Sequence, residues 1–170
     1  MAEAFAQSKA PQSDAQKAFK QVKTLAGNWE GPATVVPEMP DMNSMRVRVS
    51  MRVTSGGDAF MHEMVPAGRS DDPTNGNDDP VTMFYFEGDG LLLTHYCDTG
   101  KNRPRMSGKL LPDGKTVEFE FLDVAGGTKR GYMSHAVFTF IDANHHTEDW
   151  TTMMSDGKQG RAHHDLRRTK

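Results

Sequence analysis

The clearest pattern in the sequence is a strict alternation of apolar and polar residues between positions 44 and 54. The apolar positions are Met45, Val47, Val49, Met51 and Val53, and the intervening ones are Arg46, Arg48, Ser50 and Arg52. Successive side chains of a β-strand point to opposite faces of the sheet. The segment therefore predicts a strand with one buried face and one solvated face.

Similar segments follow along the rest of the chain, separated by short connections rich in Gly, Asp and Asn. The other nine predicted strands are 29–36, 59–65, 81–87, 91–97, 103–111, 115–123, 132–141, 145–154 and 159–168. Such connections favour antiparallel hairpins. Ten hairpin-linked strands without crossover helices predict a mainly β protein, an up-and-down antiparallel β-barrel. An open sheet or a two-sheet sandwich of the same strands is the alternative.

One helix is predicted before the strands, over residues 13–26. Ser13 can cap it, Gln16 stands at the capping-box position, and Phe19 and Val22 fall at helical spacing. Gly27 is expected to end it. The predicted organisation is a flexible arm over 1–12 and a single barrel domain over 13–170, with strands from 27 to 168.

Composition makes this barrel unusual, because Leu, Ile, Val and Phe together provide only 29 of 170 residues while there are 12 Met. Met is flexible and polarisable and lines adaptable apolar surfaces. The single Cys excludes an intramolecular disulfide framework and a multi-Cys metal site. The isoelectric point near 6.1 argues against a generic nucleic-acid binder. No apolar run approaches the roughly 18 residues that a membrane-spanning helix needs.

A barrel of ten strands is wide enough to enclose a cavity. We therefore expect non-enzymatic binding of a small, mostly hydrophobic molecule, with apolar contacts from Met and Phe and an orienting polar group from His95, Tyr96 or Arg105. The candidate ligand-binding residues are Met45, Met51, Met83, Phe84, Phe86, His95, Tyr96, Arg105, Phe119, Phe121, Phe138 and Phe140. The competing interpretation is that the Met side chains fill gaps in a solid core.

The segment from Leu25 to Gly31, with Gly27 and Trp29 at its centre, resembles the Gly-x-Trp start of the calycin group. This group contains the lipocalins, the fatty-acid-binding proteins and the nitrobindin-like barrels. The resemblance implies that Trp29 closes one end of the barrel against a basic side chain of a late strand. Arg161, Arg167 and Arg168 are the candidates, and Arg167 is the predicted partner.

A longer resemblance covers residues 55–106. The matching segments are Ser55 to Phe60, Val81 to Tyr85, Leu92 to Cys97 and Asn102 to Met106. They are similar to an uncharacterised bacterial lipocalin-like family related to the DUF1579 group. This resemblance implies a fold but no activity, and since such proteins often carry a secretion signal it favours a secreted or periplasmic location. The first residues themselves lack the features of a signal peptide.

Seven His residues suggest a second hypothesis, a haem-binding or metal-binding barrel. Alternation along the last strand places His164 on the same face as Ala162 and Leu166, and opposite to His163. Nitrobindin-like barrels bind haem through a His near the C-terminus, and the residues around His164 are loosely similar. If haem is the cofactor, the resemblance implies that His164 is its axial ligand; otherwise no cofactor is expected.

A third hypothesis is an enzyme that uses His95 with Tyr96 or with an acidic partner. The acidic residues Glu148 and Asp149 show no recognisable catalytic motif, which favours a binding role. A protein-partner role through the outward Arg row of residues 46–52, or a homodimer, also stays open. No nucleic-acid partner and no membrane span are expected.

Overall fold

The computed structural model describes residues 11–38, 45–69, 79–97 and 100–170, so most of the predicted arm over 1–12 lies outside the described residues. One helix precedes ten strands. Their bounds are α1 Asp14–Lys23, β1 Gly27–Val36, β2 Arg46–Thr54, β3 Ala59–Pro66, β4 Val81–Glu87, β5 Gly90–Tyr96, β6 Arg103–Leu110, β7 Thr116–Ala125, β8 Tyr132–Asp142, β9 His145–Met153 and β10 Gln159–Arg168. The predicted strands differ from these by two residues at most at either end.

The ten strands form one closed antiparallel barrel in which each strand pairs with its neighbours in sequence. The barrel closes where β1 pairs with β10, from Trp29 opposite Arg168 to Val36 opposite Arg161. The prediction of an up-and-down barrel is confirmed, and the sandwich alternative is wrong because no edge strand is left between β1 and β10.

Helix α1 begins as the sequence predicts, with a complete capping box between Ser13 and Gln16. Its buried residues, Ala18, Phe19 and Val22, face the barrel. The helix ends at Lys23, before Gly27, and the intervening residues lead directly into β1. No helix in the described parts of the chain has the length and apolar character to cross a membrane.

The topology separates the two ends of the barrel. Helix α1 precedes β1, so it lies at the end that also carries the short β2–β3, β4–β5, β6–β7 and β8–β9 hairpins; we call this the helix end. The other five hairpins, beginning with β1–β2, lie at the opposite end, which we call the far end. Lys23 Nζ of α1 donates to the carbonyl of Gly57 in the β2–β3 connection at 3.2 Å, which agrees with this placement.

Trp29 is the central residue of the helix end. Its indole is fully buried and donates from Nε1 to the carbonyl of Leu25 at 2.7 Å. The guanidinium that covers the indole belongs to Arg168, whose Cζ lies 4.1 Å from the ring centroid. The prediction of Arg167 as the partner is therefore wrong. Cross-strand pairing explains the difference, because Trp29 lies opposite Arg168, whereas Arg167 lies opposite Glu30.

The interior above the helix is filled by aromatic rings. Phe84 lies 5.3 Å from Phe119 and 5.5 Å from Phe138, measured between ring centroids, and Phe119 lies 5.9 Å from Phe138. Gly108 on β6 permits this packing, because a Cβ there would overlap the ring of Phe119. This half of the barrel is therefore filled by packed aromatic rings.

We expect Arg168→Ala to lower the free energy of unfolding by about 2–3 kcal/mol, because it removes a cation–π contact and hydrogen bonds to backbone carbonyls at the helix end. Arg168 donates to the carbonyls of Thr24, Ala26 and Ala143, which join α1, β1 and the β8–β9 turn. Urea unfolding followed by circular dichroism measures the change.

The matched control is Arg167→Ala, one residue earlier. Arg167 is largely exposed and only approaches Asp165 at 4.0 Å, so the free energy of unfolding should change by less than about 0.5 kcal/mol. Equal effects of the two substitutions would show that the stacked guanidinium does not stabilise the helix end.

Candidate functional site

The most unusual residue of the interior is Glu148, in the middle of β9. Its side chain is fully buried and accepts hydrogen bonds from three different side chains. His62 Nε2 lies 3.2 and 3.1 Å from its two oxygens, His146 Nε2 lies 3.1 Å from Oε1, and Trp150 Nε1 lies 3.0 Å from Oε2. A buried carboxylate requires such partners, because an isolated one is strongly destabilised.

Strand register explains how these side chains meet. His146, Glu148 and Trp150 alternate along β9, so all three point inward. His164 on β10 lies directly opposite Glu148, and its Nδ1 is 3.7 Å from Oε2, beyond hydrogen-bond distance. His62 comes from β3 and reaches Glu148 across the interior. We call these five residues the Glu148 cluster.

The cluster determines the charge state of the carboxyl. Complete burial alone would raise the pKa of Glu148, but the charge of His62 and the hydrogen bonds from His146 and His62 outweigh burial and hold the pKa well below its ordinary value. Glu148 is therefore ionised inside the barrel at neutral pH.

Three buried ring nitrogens of the cluster have no hydrogen-bond partner, namely the Nδ1 atoms of His62, His146 and His164. A carboxylate only accepts hydrogen bonds, so each Nε2 that contacts Glu148 carries a proton. In the neutral form of His62 and His146, Nδ1 is then an unused acceptor. Buried polar atoms are rarely left in this state, so the cluster has hydrogen-bonding capacity that the described protein atoms do not satisfy.

His95 lies beside the cluster. Its ring centroid is 5.4 Å from that of Trp150, and its Nδ1 is 2.9 Å from the hydroxyl of Thr82 on the neighbouring strand. The prediction that His95 faces the interior is confirmed, since the residue is buried. Tyr96 points to the opposite face, so the two residues of the enzyme hypothesis do not meet.

The described residues contain no group of three or more His, Cys, Asp and Glu side chains arranged to hold a metal ion. In the Glu148 cluster, the Nε2 atoms of His62 and His146 both lie at hydrogen-bond distance from one carboxylate oxygen, Oε1. Their geometry is that of hydrogen bonding.

The structure separates the predicted ligand-binding residues into three sets. Buried in the interior are Met51, Phe84, His95, Phe119, Phe138 and Phe140. Near the two ends are Met45, Phe86 and Phe121; Met45 is half-buried, and Phe86 and Phe121 are 37% and 40% exposed. On the outer face are Met83, Tyr96 and Arg105, which alternate with inward residues of their strands.

Several predicted residues outside the interior have partners of their own. On the outer face, Arg105 forms ion pairs with Glu87 at 2.8 Å and Asp123 at 2.6 Å. Phe86 shares the inward face of β4 with Phe84. It lies at the helix end, where the centroid of its ring is 4.9 Å from that of Phe19. The ring of Phe121 is 4.9 Å from that of Tyr132. These residues therefore do not surround the Glu148 cluster.

The inner face at the far end is lined by apolar side chains that are only partly buried. They are Met45, Met64, Met133 and Ala162, and all four pack against the core. Met64 is two residues from His62 on β3, and Ala162 is two residues from His164 on β10, so each lies one step further toward the far end on the same inner face. The Glu148 cluster thus lies between the aromatic core and this far-end layer.

A separate groove of about 440 Å³ lies on the outer face of β1–β4. Its lining residues are Asn28, Arg48, Ser50, Glu63, Val65, Asp79 and Val81. These side chains alternate with inward ones of the same strands, so the groove is outside the barrel and does not contain the predicted apolar ligand-binding residues.

Sequence reasoning missed Glu148. The alternation along β9 places His146, Glu148 and Trp150 on one face, so a buried acid with polar neighbours was detectable. The partner from β3 was not, because His62 and Glu148 are 86 residues apart and do not lie on adjacent strands.

We expect Glu148→Gln to lower the free energy of unfolding at neutral pH by roughly 3 kcal/mol, because breaking a buried ion pair leaves its partners uncompensated. Glu118→Gln is the matched control. Glu118 also pairs with a histidine, His135, at 3.1 Å, but on the partly exposed outer face with Lys109, so about 0–1 kcal/mol is expected. Urea unfolding measures both.

The same proteins give the pH dependence. The pKa of Glu148 is lowered by folding, so its stabilisation is complete above the unfolded-state pKa of about 4.5 and is lost as pH falls toward the folded-state pKa. The stability difference between wild type and Glu148→Gln should therefore shrink below about pH 4.5. A difference that stays constant in acid would contradict a lowered pKa.

Several solved structures share this fold, and two of them are compared with it. The crystal structure of Rv2717c from M. tuberculosis matches with a TM-score of 0.64 and 13% identity, covering 90% of this chain and 98% of that one. A protein of unknown function from the DUF3598 family of Nostoc punctiforme matches with a TM-score of 0.57 and 14% identity, over 87% of this chain. The match covers 49% of the Nostoc protein, so the present chain spans about half of its length.

No protein-family model matches the sequence, and no curated protein matches it. At 13–14% identity, the structural likeness establishes the fold alone. The chain is a ten-stranded, closed antiparallel barrel preceded by one short helix.

Proposed function

We propose that this barrel binds a small, mostly apolar molecule at its far end, with the Glu148 cluster as the polar floor of the site. The observation that carries the proposal is the stacking of two layers. A far-end layer of half-buried Met and Ala side chains lies directly beyond buried histidines whose ring nitrogens lack partners. Apolar walls with a few converging polar groups are the usual composition of a small-molecule site.

The distribution of burial supports the far end over the helix end. At the helix end, Trp29, Phe60, Phe84 and Phe119 are fully buried, and the buried residues of α1 belong to the same core cluster. At the far end, Met45, Met64 and Met133 remain partly accessible although they are inward in phase. Flexible thioether side chains that remain partly accessible suit an adaptable apolar contact.

Binding is favoured over catalysis by the state of Glu148. Each of its oxygens already accepts two hydrogen bonds, from His62 and His146 on one and from His62 and Trp150 on the other. To act as a general base, the carboxylate would have to break these bonds and accept a proton against a lowered pKa. Catalysis by His95 with an acidic partner stays a separate hypothesis.

Haem is a second candidate ligand, favoured by the position of His164. The residue is on the inner face of the last strand, and its Nδ1 has no hydrogen-bond partner, which fits an axial ligand. Only 3% of His164 is exposed, so a macrocycle would require neighbouring side chains to move apart. Titration with haem decides this candidate: without a Soret band, or with one that persists in His164→Ala, it is rejected.

We also propose that the chain belongs with the uncharacterised bacterial lipocalin-like, DUF1579-related proteins that its residues 55–106 resemble. This assignment implies no activity, so the binding proposal depends on the site alone.

We expect Ala162→Phe to weaken binding of the neutral fluorophore N-phenyl-1-naphthylamine by at least about tenfold, because the ring would occupy the far-end layer opposite Trp150. The fluorescence increase of the bound fluorophore measures affinity. Arg161→Phe, one residue earlier and on the outer face, is the control and should bind as wild type does.

Circular dichroism and thermal unfolding of both variants establish that the barrel is intact. If the wild-type protein does not bind the fluorophore and carries no small molecule in native mass spectrometry, the proposal fails. If a folded Ala162→Phe variant retains full affinity, the far end is not the site.

A further inference from the structure

We propose that the Glu148 cluster selects apolar ligands with a neutral, hydrogen-bond-donating head group, such as a hydroxyl, over carboxylates of equal chain length. This inference rests on the proposed function and adds the chemical class of the ligand. It comes from the charges and the hydrogen-bonding capacity of the buried layer.

The buried polar side chains of the described residues carry no Lys or Arg. They are His62, Thr82, Thr94, His95, Asn102, Thr116, His146, Glu148 and His164. The arginines described above are occupied elsewhere: Arg105 pairs with acids on the outer face, and Arg168 covers Trp29 at the helix end. A site that holds a fatty acid by its carboxylate needs a cation or several donors at that carboxylate, and no guanidinium or ammonium of this buried set supplies one.

The buried group whose pKa is held well below its ordinary value, Glu148, is itself a carboxylate. A second carboxylate from a ligand would bring two negative charges together in a region of low dielectric, where repulsion is strong. If His62 is protonated, its charge already compensates Glu148, to which it is bonded at 3.1 Å. An anionic head group would therefore need a second protonated histidine, whereas a neutral one needs none.

The unpaired Nδ1 atoms of His62 and His164 also favour a ligand head group that can donate a hydrogen bond. In its neutral form His62 donates from Nε2 to Glu148, so its Nδ1 can only accept. The Nδ1 of His164, 3.7 Å from Glu148, has no partner in either tautomer. A hydroxyl both donates and accepts, so it can pair with either histidine. An ionised carboxylate only accepts and leaves the His62 Nδ1 acceptor unsatisfied.

Trp150 lies opposite Ala162 of the far-end layer, and His62 and His164 are the histidines of the cluster next to that layer. Each is separated by a single outward residue from a partly buried apolar residue, Met64 on β3 and Ala162 on β10. A ligand with its chain against that layer would direct its head group at these two rings. Toward the helix end, the rings of Phe84, Phe119 and Phe138 offer a head group no polar atom, and the remaining unpartnered nitrogen of the cluster, His146 Nδ1, belongs to a ring that packs against Trp29.

The test compares three ligands of one chain length: decanol, decanoate and methyl decanoate. Each is tested for displacement of N-phenyl-1-naphthylamine from the wild-type protein at about pH 8, where decanoate is ionised. Decanol should bind roughly tenfold or more tightly than decanoate and more tightly than the ester, which is neutral but cannot donate. In Glu148→Gln the preference for decanol over decanoate should fall toward unity, and in Glu118→Gln it should stay unchanged.

Equal affinities of decanol and decanoate in the wild-type protein would overturn the selection while leaving the binding proposal intact. An ester that binds as tightly as decanol would overturn the need for a donor. If none of the three displaces the bound fluorophore, the selection proposal fails, whereas the binding proposal is supported by the binding of the fluorophore itself. The wild-type comparison is decisive by itself, so the inference remains testable if Glu148→Gln does not fold.

Discussion

The interior of this barrel is organised around a carboxylate that stays ionised without contact with water. Glu148 is completely buried, and its charge is tolerable only because His62, His146 and Trp150 donate to it. These donors come from β3 and β9, strands that are not neighbours in the sheet. The hydrogen bonds therefore connect opposite walls of the barrel, in addition to the backbone ladder that connects adjacent ones.

The two tryptophans extend this connection toward both ends. Trp29 packs edge-on against His146, with centroids 4.3 Å apart, and carries Arg168 and the start of β1 on its other side. Trp150 donates to Glu148 and lies beside His95 and His62. Closure of the helix end and the polar floor of the far end are thus parts of one packed unit. A substitution in the Glu148 cluster should therefore disturb the packing at the helix end as well as at the proposed site.

Features that depend on residues close together in the sequence could be predicted, and features that depend on distant residues could not. Alternation and turn residues are local, so the ten strands, the capped helix and the inward positions of His95 and His164 could be derived. The choice between Arg167 and Arg168 depends on the register of β1 against β10. These two strands are more than a hundred residues apart in the sequence, so local patterns do not show how they pair. Met83 illustrates another limit: β4 is apolar on both faces, so periodicity could not show that Phe84 points inward and Met83 outward.

The cost of the Glu148 cluster is itself an argument for function. Replacing a buried ion pair with apolar side chains of similar volume is often neutral or stabilising in proteins, and the adjoining core shows that this barrel packs Phe and Leu without difficulty. A solid aromatic interior would have closed the fold equally well. Instead, three imidazoles and a carboxylate occupy the level next to the half-buried methionines, with ring nitrogens left unpaired. Stability alone does not account for that placement, whereas the proposed recognition of a polar head group would.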